Sequence, residues 1–213
     1  MFTQAVLPDT IRAIKLISKL PSIQKAYLAG GSALALHIGH RISVDLDFFT
    51  QEEIDENKVS LELSSIGQFK EEGKSWRTVW GSVVDTKFSI FYYPYPLLEK
   101  TSAFEGIQMV GKKDIAAMKI HALEDRGTKR DFIDAFFLAK VFTLEKMLTF
   151  YDQKYGSLHD HVYTILRSLD YFADADSDER PLKMLMDVSW DDVKQFFKQE
   201  SIRLAKERLG VEE

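Results

Sequence analysis

The chain has 213 residues, a formal net charge of −5 and a sequence pI of about 5.6, a balance that argues against general electrostatic attraction to nucleic acid. The absence of cysteine excludes disulfides, thiolate metal sites and cysteine nucleophiles. The N-terminus lacks a signal-peptide pattern, and no apolar run approaches the ~18 residues that span a bilayer. We therefore expect a cytoplasmic protein with no membrane partner. Residues 126–130 carry three cations and are a candidate for a local basic patch.

The first fifty residues alternate between helical and extended patterns. Apolar residues recur at helical spacing before a proline, and a second helical run ends at a glycine. The predicted elements are a helix over 9–20 with Asp9 as its cap and Pro21 as its end, a strand over 25–29, a helix over 32–38 ended by Gly39, and a strand over 42–49.

The next sixty residues begin with one helix and become rich in β-forming residues. Turn signals separate short extended runs, and two prolines end the last long one because proline cannot donate to a sheet ladder. The predicted elements are a helix capped by Thr50 that carries Ile54, Val59, Leu61 and Leu63, three strands within 68–93 with turns near Gly73 and Asp85, and a short strand over 107–110.

After Lys112 the pattern is helical almost to the end of the chain. Helices are predicted over 113–125, 129–141, 143–153, 159–172 and 190–207, and residues 174–180 are predicted to form a polar loop. The fold class is therefore α+β, with a mixed β-sheet first and a helical C-terminal lobe second. We expect the core domain to cover residues 1–110 and the helical lobe residues 111–213.

Two carboxylates stand two residues apart in the strand predicted over 42–49. Asp45 and Asp47 should then project from the same face of that strand. Neighbouring carboxylates repel each other unless a cation lies between them. Oxygen ligands alone suit Mg²⁺ or Mn²⁺, which complete their coordination with water and substrate phosphates. An isolated Asp-x-Asp can equally be a solvated strand face.

Gly30, Gly31 and Ser32 stand between a predicted strand and a predicted helix. Glycines let the backbone approach a ligand, and the start of a helix offers free amide donors at a positive dipole end. The Ser32 hydroxyl adds another donor. Metal carboxylates beside an anion-binding corner are what phosphoryl or nucleotidyl transfer requires. A lone Gly-Gly is usually a turn, so the combined order with Asp45 and Asp47 carries the functional interpretation.

The segment GGSALALHIGHRISVDLDFF resembles the signature of the AbiEii/AbiGii-type nucleotidyltransferases, toxins of bacterial toxin–antitoxin and phage-abortive systems in the polymerase-β-like superfamily. DIAAMKIHALEDRGTKRDFIDAFFL at 114–138 is similar to the helical Lys…Arg…Lys-Asp-x-x-Asp segment of that family. The resemblance spans roughly residues 25–140. It implies a nucleotidyltransferase-like mixed sheet with flanking helices, an NTP substrate and Mg²⁺ (or Mn²⁺).

The resemblance also implies roles for individual residues. Gly30, Gly31 and Ser32 would hold the triphosphate, and Asp45 and Asp47 would bind the metal. Lys119 would complete the site from the helical lobe together with Asp131 or Asp134. A cognate antitoxin is a further partner that the resemblance suggests.

Two cations leave alternatives open. Arg41 is either a surface residue paired with a carboxylate or a planar fork that holds a phosphate or an aspartate. Lys119 lies on an apolar helical stripe, where a lysine commonly extends its ammonium to water, although a helix facing the cleft would bring it to a phosphate or carboxylate. Asp131 and Asp134 complement a helix start with Thr128 as its cap, and we expect one of them to anchor Lys119 or Arg126.

The remaining polar and aromatic residues favour structural roles. The five histidines show no ligand spacing, and we interpret them as structural or surface residues: His37, His40, His121, His159 and His161. The stretch FSIFYYPYP is interpreted as sheet core, with Tyr92 or Tyr93 as residues that could line the cleft.

One position departs from the superfamily pattern. Catalytic members usually carry a third carboxylate on a later strand, and in TKFSIFYY that position is Ser89. Asp85 has the same strand parity but stands four residues earlier, at a turn. Either Asp85 reaches the site, or the base comes from elsewhere, or there is no chemistry.

Three hypotheses follow. The first is an Mg²⁺-dependent nucleotidyltransferase of toxin–antitoxin type that moves a nucleotide from an NTP to a hydroxyl on RNA or protein. The second is a non-catalytic module that binds a nucleotide or a partner on the same fold, which Ser89 favours. The third is an α+β domain whose acidic residues simply face solvent.

Overall fold

The computed structural model describes residues 1–156 and 161–209, and the chain divides into two compact units, Met1–Gly111 and Lys112–Glu213. In the first unit the strands form one mixed sheet, and helices pack on it. The second unit is helical. The predicted α+β fold, with a mixed sheet followed by a helical C-terminal region, is confirmed.

The sheet of the first unit has seven strands in the order β3-β4-β5-β2-β1-β7-β6 within the described residues. The pairs β1/β7 and β2/β5 are parallel and the other pairs are antiparallel. The strands are β1 (Tyr27–Leu28), β2 (Leu46–Thr50), β3 (Phe69–Ser75), β4 (Thr78–Val83), β5 (Thr86–Tyr92), β6 (Ser102–Phe104) and β7 (Ile107–Met109).

One face of β2 and β5 is mostly apolar and buried. Leu46 and Phe48 of β2 lie on that face beside Phe88 and Ile90 of β5. Since side chains alternate along a strand, Asp47 and Ser89 belong to the opposite face. The sheet therefore anchors its core on one side and presents the polar pair on the other.

A single 3₁₀ turn, Thr3–Ala5, precedes the helices of the first unit, which are α1 (Pro8–Ile17), α2 (Pro21–Gln24), α3 (Gly30–Ile38) and α4 (Glu56–Ser64). Helix α1 packs against β5, and α4 packs against β3 and β4. Gly39 ends α3 with a φ of 74°, a left-handed conformation that glycine adopts without strain, so the predicted helix end is confirmed.

Helix starts were the least accurate part of the prediction in this unit. Helix α1 begins at Pro8 with Leu7 as its cap, so Asp9 lies in the first turn instead of capping it. Pro21 starts α2, because a proline at the first helical position loses no helical hydrogen bond.

Thr50 does not cap α4. It is the last residue of β2, and its hydroxyl donates to the Lys25 carbonyl at 3.0 Å. The cap is Asp55, whose carboxylate accepts from the amides of Asn57 and Lys58. Ile54 therefore precedes the helix that it was predicted to join.

The strand predicted over 42–49 begins only at Leu46. Ser43 instead forms an isolated bridge with Val6, and its amide donates to the Ala5 carbonyl at 2.9 Å. The backbone of the segment before Leu46 therefore contacts residues near the N-terminus of the chain and does not continue the strand. Asp45 lies one residue before β2, and Asp47 lies within it.

The described helices of the second unit are α5 (Lys112–Asp125), α6 (Lys129–Phe142), α7 (Leu144–Tyr155), α8 (Val162–Ser168), α9 (Ala173–Asp176) and α10 (Trp190–Leu209). Four predicted helices match these within a few residues. The helix predicted over 159–172 is α8 in its described part, while residues 159 and 160 lie outside the described residues. The loop predicted over 174–180 was partly wrong, because α9 occupies its start.

No helix in residues 1–156 or 161–209 combines the length and the apolar character needed to cross a membrane.

Candidate active site

Three strands of the first unit meet where β1 ends and β2 begins. Leu28 of β1 pairs with Phe48, and on the other side of β2 Asp47 pairs with Ser89. The chain leaves β1 directly into Gly30, the first residue of α3. This order places the glycine pair on one flank of Asp47 and Ser89 on the other.

Asp47 is held by both neighbouring strands. Its Oδ1 accepts a hydrogen bond from Ser89 Oγ at 2.6 Å, and its carbonyl accepts from the Ala29 amide at 2.9 Å. A Cβ on Gly30 would lie 3.0 Å from Asp47 Oδ2, and Gly30 has a φ of +66°. Glycine at this position therefore satisfies a left-handed backbone and lets the first turn of α3 approach the carboxylate.

The absence of a side chain at Gly31 lets the Arg41 guanidinium approach the backbone. A Cβ on Gly31 would lie 2.6 Å from Arg41 Nη2 and 3.1 Å from Ser43 Oγ. Arg41 is buried, and its Nη1 donates to the Ile42 carbonyl at 3.1 Å. The surface placement considered for Arg41 is therefore wrong: a guanidinium lies against the N-terminal turn of α3, whose first amides lack partners within a helix.

Ser32 contributes to the backbone around Asp45. Its buried hydroxyl donates to the Asp45 carbonyl and lies 3.1 Å from Ser43 Oγ. This contact fixes the residue that precedes β2, which strand geometry alone does not orient. Binding of phosphate by Ser32, and a shared face for Asp45 and Asp47, both stay predictions.

The donor chemistry of this corner fits a hard cation. Asp45 and Asp47 supply oxygen ligands only, which are the ligands that a hard cation prefers. No group of three or more acidic, histidine or cysteine side chains in the described residues forms a complete metal cage. Mg²⁺ and Mn²⁺ suit an incomplete protein shell, because substrate phosphates and waters supply their other ligands.

Asp85, the alternative acid, lies in the turn between β4 and β5 and is exposed. It precedes Ser89 by four residues, which is about 13 Å along a strand. Ser89, by contrast, contacts Asp47 directly. The structure thus places the serine, and not Asp85, beside the candidate metal ligand.

A second polar cluster lies within the helical unit. Lys119 of α5 is buried, and its Nζ lies 2.9 Å from Asp131 Oδ1 and 2.6 Å from Asp134 Oδ2. Asp131 also accepts from Arg126 Nε at 3.0 Å. The expected anchoring of Lys119 and Arg126 by these acids is present, whereas its role at the nucleotide site stays a prediction.

Thr128 precedes α6 but does not cap it through its side chain. Its hydroxyl donates instead to Asp131 Oδ2 at 2.6 Å. Thr128 is thus the third residue, after Lys119 and Arg126, that contacts the Asp131 carboxylate. The helix start is thus used to hold Asp131.

Asp131 should make the stability of the protein depend on pH at the acid end. Burial alone would raise the pKa of this carboxyl, but Lys119 and the hydrogen bonds from Arg126 and Thr128 outweigh burial and hold the pKa far below its usual range. A depressed folded pKa stabilises the fold above the ordinary aspartate pKa, near 4, and this contribution is lost as the pH falls further.

Wild type should therefore exceed Asp131→Asn in free energy of unfolding by about 2 kcal/mol or more at pH 7, with the gap narrowing as the pH falls below about 4. Urea unfolding at four pH values measures the gap. A gap that stays constant as the pH falls below about 4 contradicts the assignment.

The comparison with protein families decides the assignment. The model of the AbiEii family, described as nucleotidyl transferase toxin of a type IV toxin–antitoxin system, matches residues 12–205. The chain belongs to the AbiEii family. This match covers both units and includes the glycine pair, the Asp-x-Asp segment and the Lys119 cluster.

Similar proteins agree with this family assignment. An uncharacterized protein from Aquifex aeolicus (strain VF5) is 34% identical over 192 residues, covering 87% of this chain and 91% of its own. A Helicobacter pylori protein described as a candidate nucleotidyltransferase has a TM-score of 0.53 at 19% identity, covering 96% of each chain. The nucleotidyltransferase toxin MenT4 from Mycobacterium tuberculosis H37Rv has a TM-score of 0.54 at 17% identity, covering 92% of this chain and 85% of its own. The two structures support the fold.

The histidines of this AbiEii-family chain make contacts typical of structural and surface residues. His37 Nε2 lies 2.8 Å from the Val110 carbonyl, and His40 is fully buried. His121 and His161 both lie near Glu124 in the helical unit. His159 lies outside the described residues.

The aromatic stretch of β5 packs largely as predicted. Phe88 and Ile90 are buried, and Phe91 stacks on Phe49 at 5.2 Å between ring centroids. Tyr93 also contacts Phe49, edge-on at 5.0 Å. A role for Tyr93 in lining a cleft stays a prediction.

Sequence reasoning missed two features. Ser43 lies beside Ser32 and Gly31, and nothing local distinguishes it from other loop serines. Lys154 is fully buried, and its Nζ lies 2.7 Å from Asp114 Oδ1. Its helical spacing from Tyr151 and Met147 was the available signal, because it puts this lysine on the apolar face of α7.

Proposed function

We propose that this protein is a metal-dependent nucleotidyltransferase that moves a nucleotide from an NTP to a hydroxyl on RNA or protein. The observation that carries the proposal is the position of Asp47, a strand carboxylate between the Gly30 backbone and the Ser89 hydroxyl. A carboxylate for the metal thus adjoins the helix start that would receive the phosphates.

Each residue has a defined task under this proposal. Asp45 and Asp47 would hold Mg²⁺ or Mn²⁺, which when bound neutralises charge on the phosphates. The amides of Gly30 and Gly31 would donate to the triphosphate, and the adjacent Arg41 guanidinium would offset its charge. The family resemblance implies a role for Lys119 in the same reaction, and Asp131 and Asp134 hold its ammonium.

The reaction is an in-line displacement at the α-phosphorus. The acceptor oxygen forms a bond to the α-phosphorus. The bond between the α-phosphorus and the oxygen that bridges it to the β-phosphorus breaks, and pyrophosphate leaves. The acceptor proton passes to solvent water. The protein orients both oxygens and stabilises the charge, which carries most of the catalysis in phosphoryl chemistry.

Ser89 bears on the question of a general base. Its hydroxyl donates to Asp47 Oδ1, so it positions a carboxylate and does not act as an acid–base group in this arrangement. A serine at this position also favours a second candidate function, a module that binds nucleotide without transferring it. The cognate antitoxin is proposed on the toxin–antitoxin assignment of the family alone.

Transfer of label tests the proposal. The protein is incubated with each α-labelled NTP, Mg²⁺ and a cell extract, and the RNA and protein fractions are analysed separately. Metal-dependent labelling of either fraction, with release of pyrophosphate, supports the enzyme. Calorimetric binding of Mg·NTP without label transfer or pyrophosphate release supports the binding module instead.

A further inference from the structure

A row of paired residues extends from Asp47 across the sheet, away from the glycine pair. Asp47 pairs with Ser89, Ser89 pairs with Trp80, and Trp80 pairs with Gly73. Directly paired residues project from the same face, and adjacent strands lie about 4.8 Å apart. The Trp80 Cα therefore lies roughly 10 Å from the Asp47 Cα, on the face that carries the carboxylate.

The Trp80 indole lies flat on the neighbouring strand. A Cβ on Gly73 would fall 2.3 Å from Trp80 Cζ2 and 2.7 Å from Cε2, so only glycine admits the ring there. The register of β3 also shifts between Glu71 and Gly73, a bulge that brings the glycine under the ring. One face of the indole is thus covered by backbone.

The rest of the ring remains available. Trp80 is 37% exposed, and within residues 1–156 and 161–209 it stacks on no other aromatic ring. The other two tryptophans differ, since Trp76 contacts Tyr92 and Trp190 contacts Phe132. Trp80 therefore presents a flat apolar surface that the core of the protein does not use.

A cation accompanies this ring on the same face. Lys87 lies two residues before Ser89 on β5, so both side chains project from one face, and Lys87 is exposed. Among the described residues, Lys87 takes part in no ion pair. A stacking ring and an available ammonium on one face are the two elements with which proteins bind single-stranded nucleic acid.

The in-line geometry determines which substrate reaches this face. Under the proposed function, Gly30 and Gly31 would hold the triphosphate on the β1 flank of Asp47. The attacking oxygen must approach from the side opposite the leaving pyrophosphate, which is the flank formed by β5 and β4. Trp80 and Lys87 lie on that flank.

We propose that Trp80, laid on Gly73, stacks on the unpaired nucleobase at the 3′ end of a single-stranded nucleic-acid acceptor, and that Lys87 contacts its phosphate. This proposal rests on the proposed function, and it selects nucleic acid over protein as the acceptor. Stacking brings the terminal ribose hydroxyl toward the metal carboxylates. The net charge of −5 makes such local contacts, and not a general field, the source of affinity.

Binding of short RNA to the full chain tests this proposal without requiring turnover. The probes are a fluorescently labelled eight-nucleotide single-stranded RNA with a free 3′ hydroxyl and the same RNA with an abasic 3′ nucleotide. Trp80→Leu keeps an apolar cover on Gly73 but removes stacking, and it should weaken binding of the intact RNA about tenfold to a hundredfold. Trp80→Phe should stay within a fewfold of wild type.

The abasic probe separates stacking from a structural effect. It should bind wild type about as weakly as the intact RNA binds Trp80→Leu, with no further loss in that variant. Lys87→Gln should weaken both probes equally and flatten the salt dependence. Trp76→Leu, a change to an exposed tryptophan at the β3–β4 turn, should leave both affinities unchanged.

The proposal is overturned if Trp80→Leu binds the intact RNA as tightly as wild type, if it loses affinity equally for both probes, or if wild type binds neither. The melting temperature of each variant checks that it is folded. Calorimetric binding of Mg·NTP checks that the proposed nucleotide site around Gly30, Gly31 and Asp47 is intact. Label transfer to protein without RNA binding would contradict RNA binding by Trp80 and support the proposed transferase function. RNA binding that depends on Trp80, without any label transfer, would support RNA binding by Trp80 and contradict the proposed transferase function.

Discussion

Replacing Asp47 with Asn should lower the rate of nucleotide transfer by about a thousandfold or more. The asparagine amide can still accept the hydrogen bond from Ser89 through its oxygen, so the strand and its neighbour keep their contact. The negative charge that would bind the metal is lost, and a metal that stabilises transferred charge supplies several kcal/mol of transition-state stabilisation. The same loss is expected for Asp45→Asn.

The measurement is single-turnover transfer from α-labelled NTP with saturating Mg²⁺, on protein whose melting temperature matches wild type. Asp85→Asn is the matched control, because it removes an exposed carboxylate near the start of β5 and should retain most of the activity. An Asp47→Asn rate within tenfold of wild type would contradict the metal assignment. Loss of transfer in Asp85→Asn alone would identify Asp85 as the base.

Replacing Lys154 with Met should lower the free energy of unfolding by about 3–5 kcal/mol. Lys154 and Asp114 are both fully buried, with 2.7 Å between Nζ and Oδ1. The single change removes the ammonium that the buried Asp114 carboxylate contacts. Breaking one side of such a pair costs more than the pair itself contributes.

The double variant Asp114→Leu/Lys154→Met should recover most of that loss, because no buried charge remains. Lys146→Met on the exposed face of α7 is the control and should change stability by less than about 0.5 kcal/mol. Urea unfolding followed by far-ultraviolet circular dichroism gives the three values. A Lys154→Met variant as stable as wild type would show that burial of this pair contributes little to the helical unit.

Local patterns in the sequence were sufficient for the elements that depend on near neighbours. The helix ended by Gly39 and the helical second half were predicted because capping, spacing and propensity act over a few residues. The same locality explains the failures. The Thr50 side chain could cap a helix, but Thr50 is the last residue of β2, because this strand pairs with strands distant in sequence.

The candidate site divides in the same way. The glycine pair and the Asp-x-Asp segment were identified as candidates from the sequence, because their residue types and spacing suit phosphate and metal binding. Ser89 was identified as the expected acid position, but its contact with Asp47 joins residues 42 apart in the chain. Strand register creates that contact, and a shift of one residue would send either side chain to the other face.

Tertiary structure alone decided the rest. Lys154 meets Asp114 across 40 residues, and Trp80 lies on Gly73 only because a bulge in β3 brings the glycine beneath the ring. A lysine on an apolar stripe and a tryptophan in a strand have many local equivalents. The sequence by itself determined which groups could bind metal and phosphate. Long-range packing determined which of them meet, because contacts distant in sequence form only when the whole chain has folded.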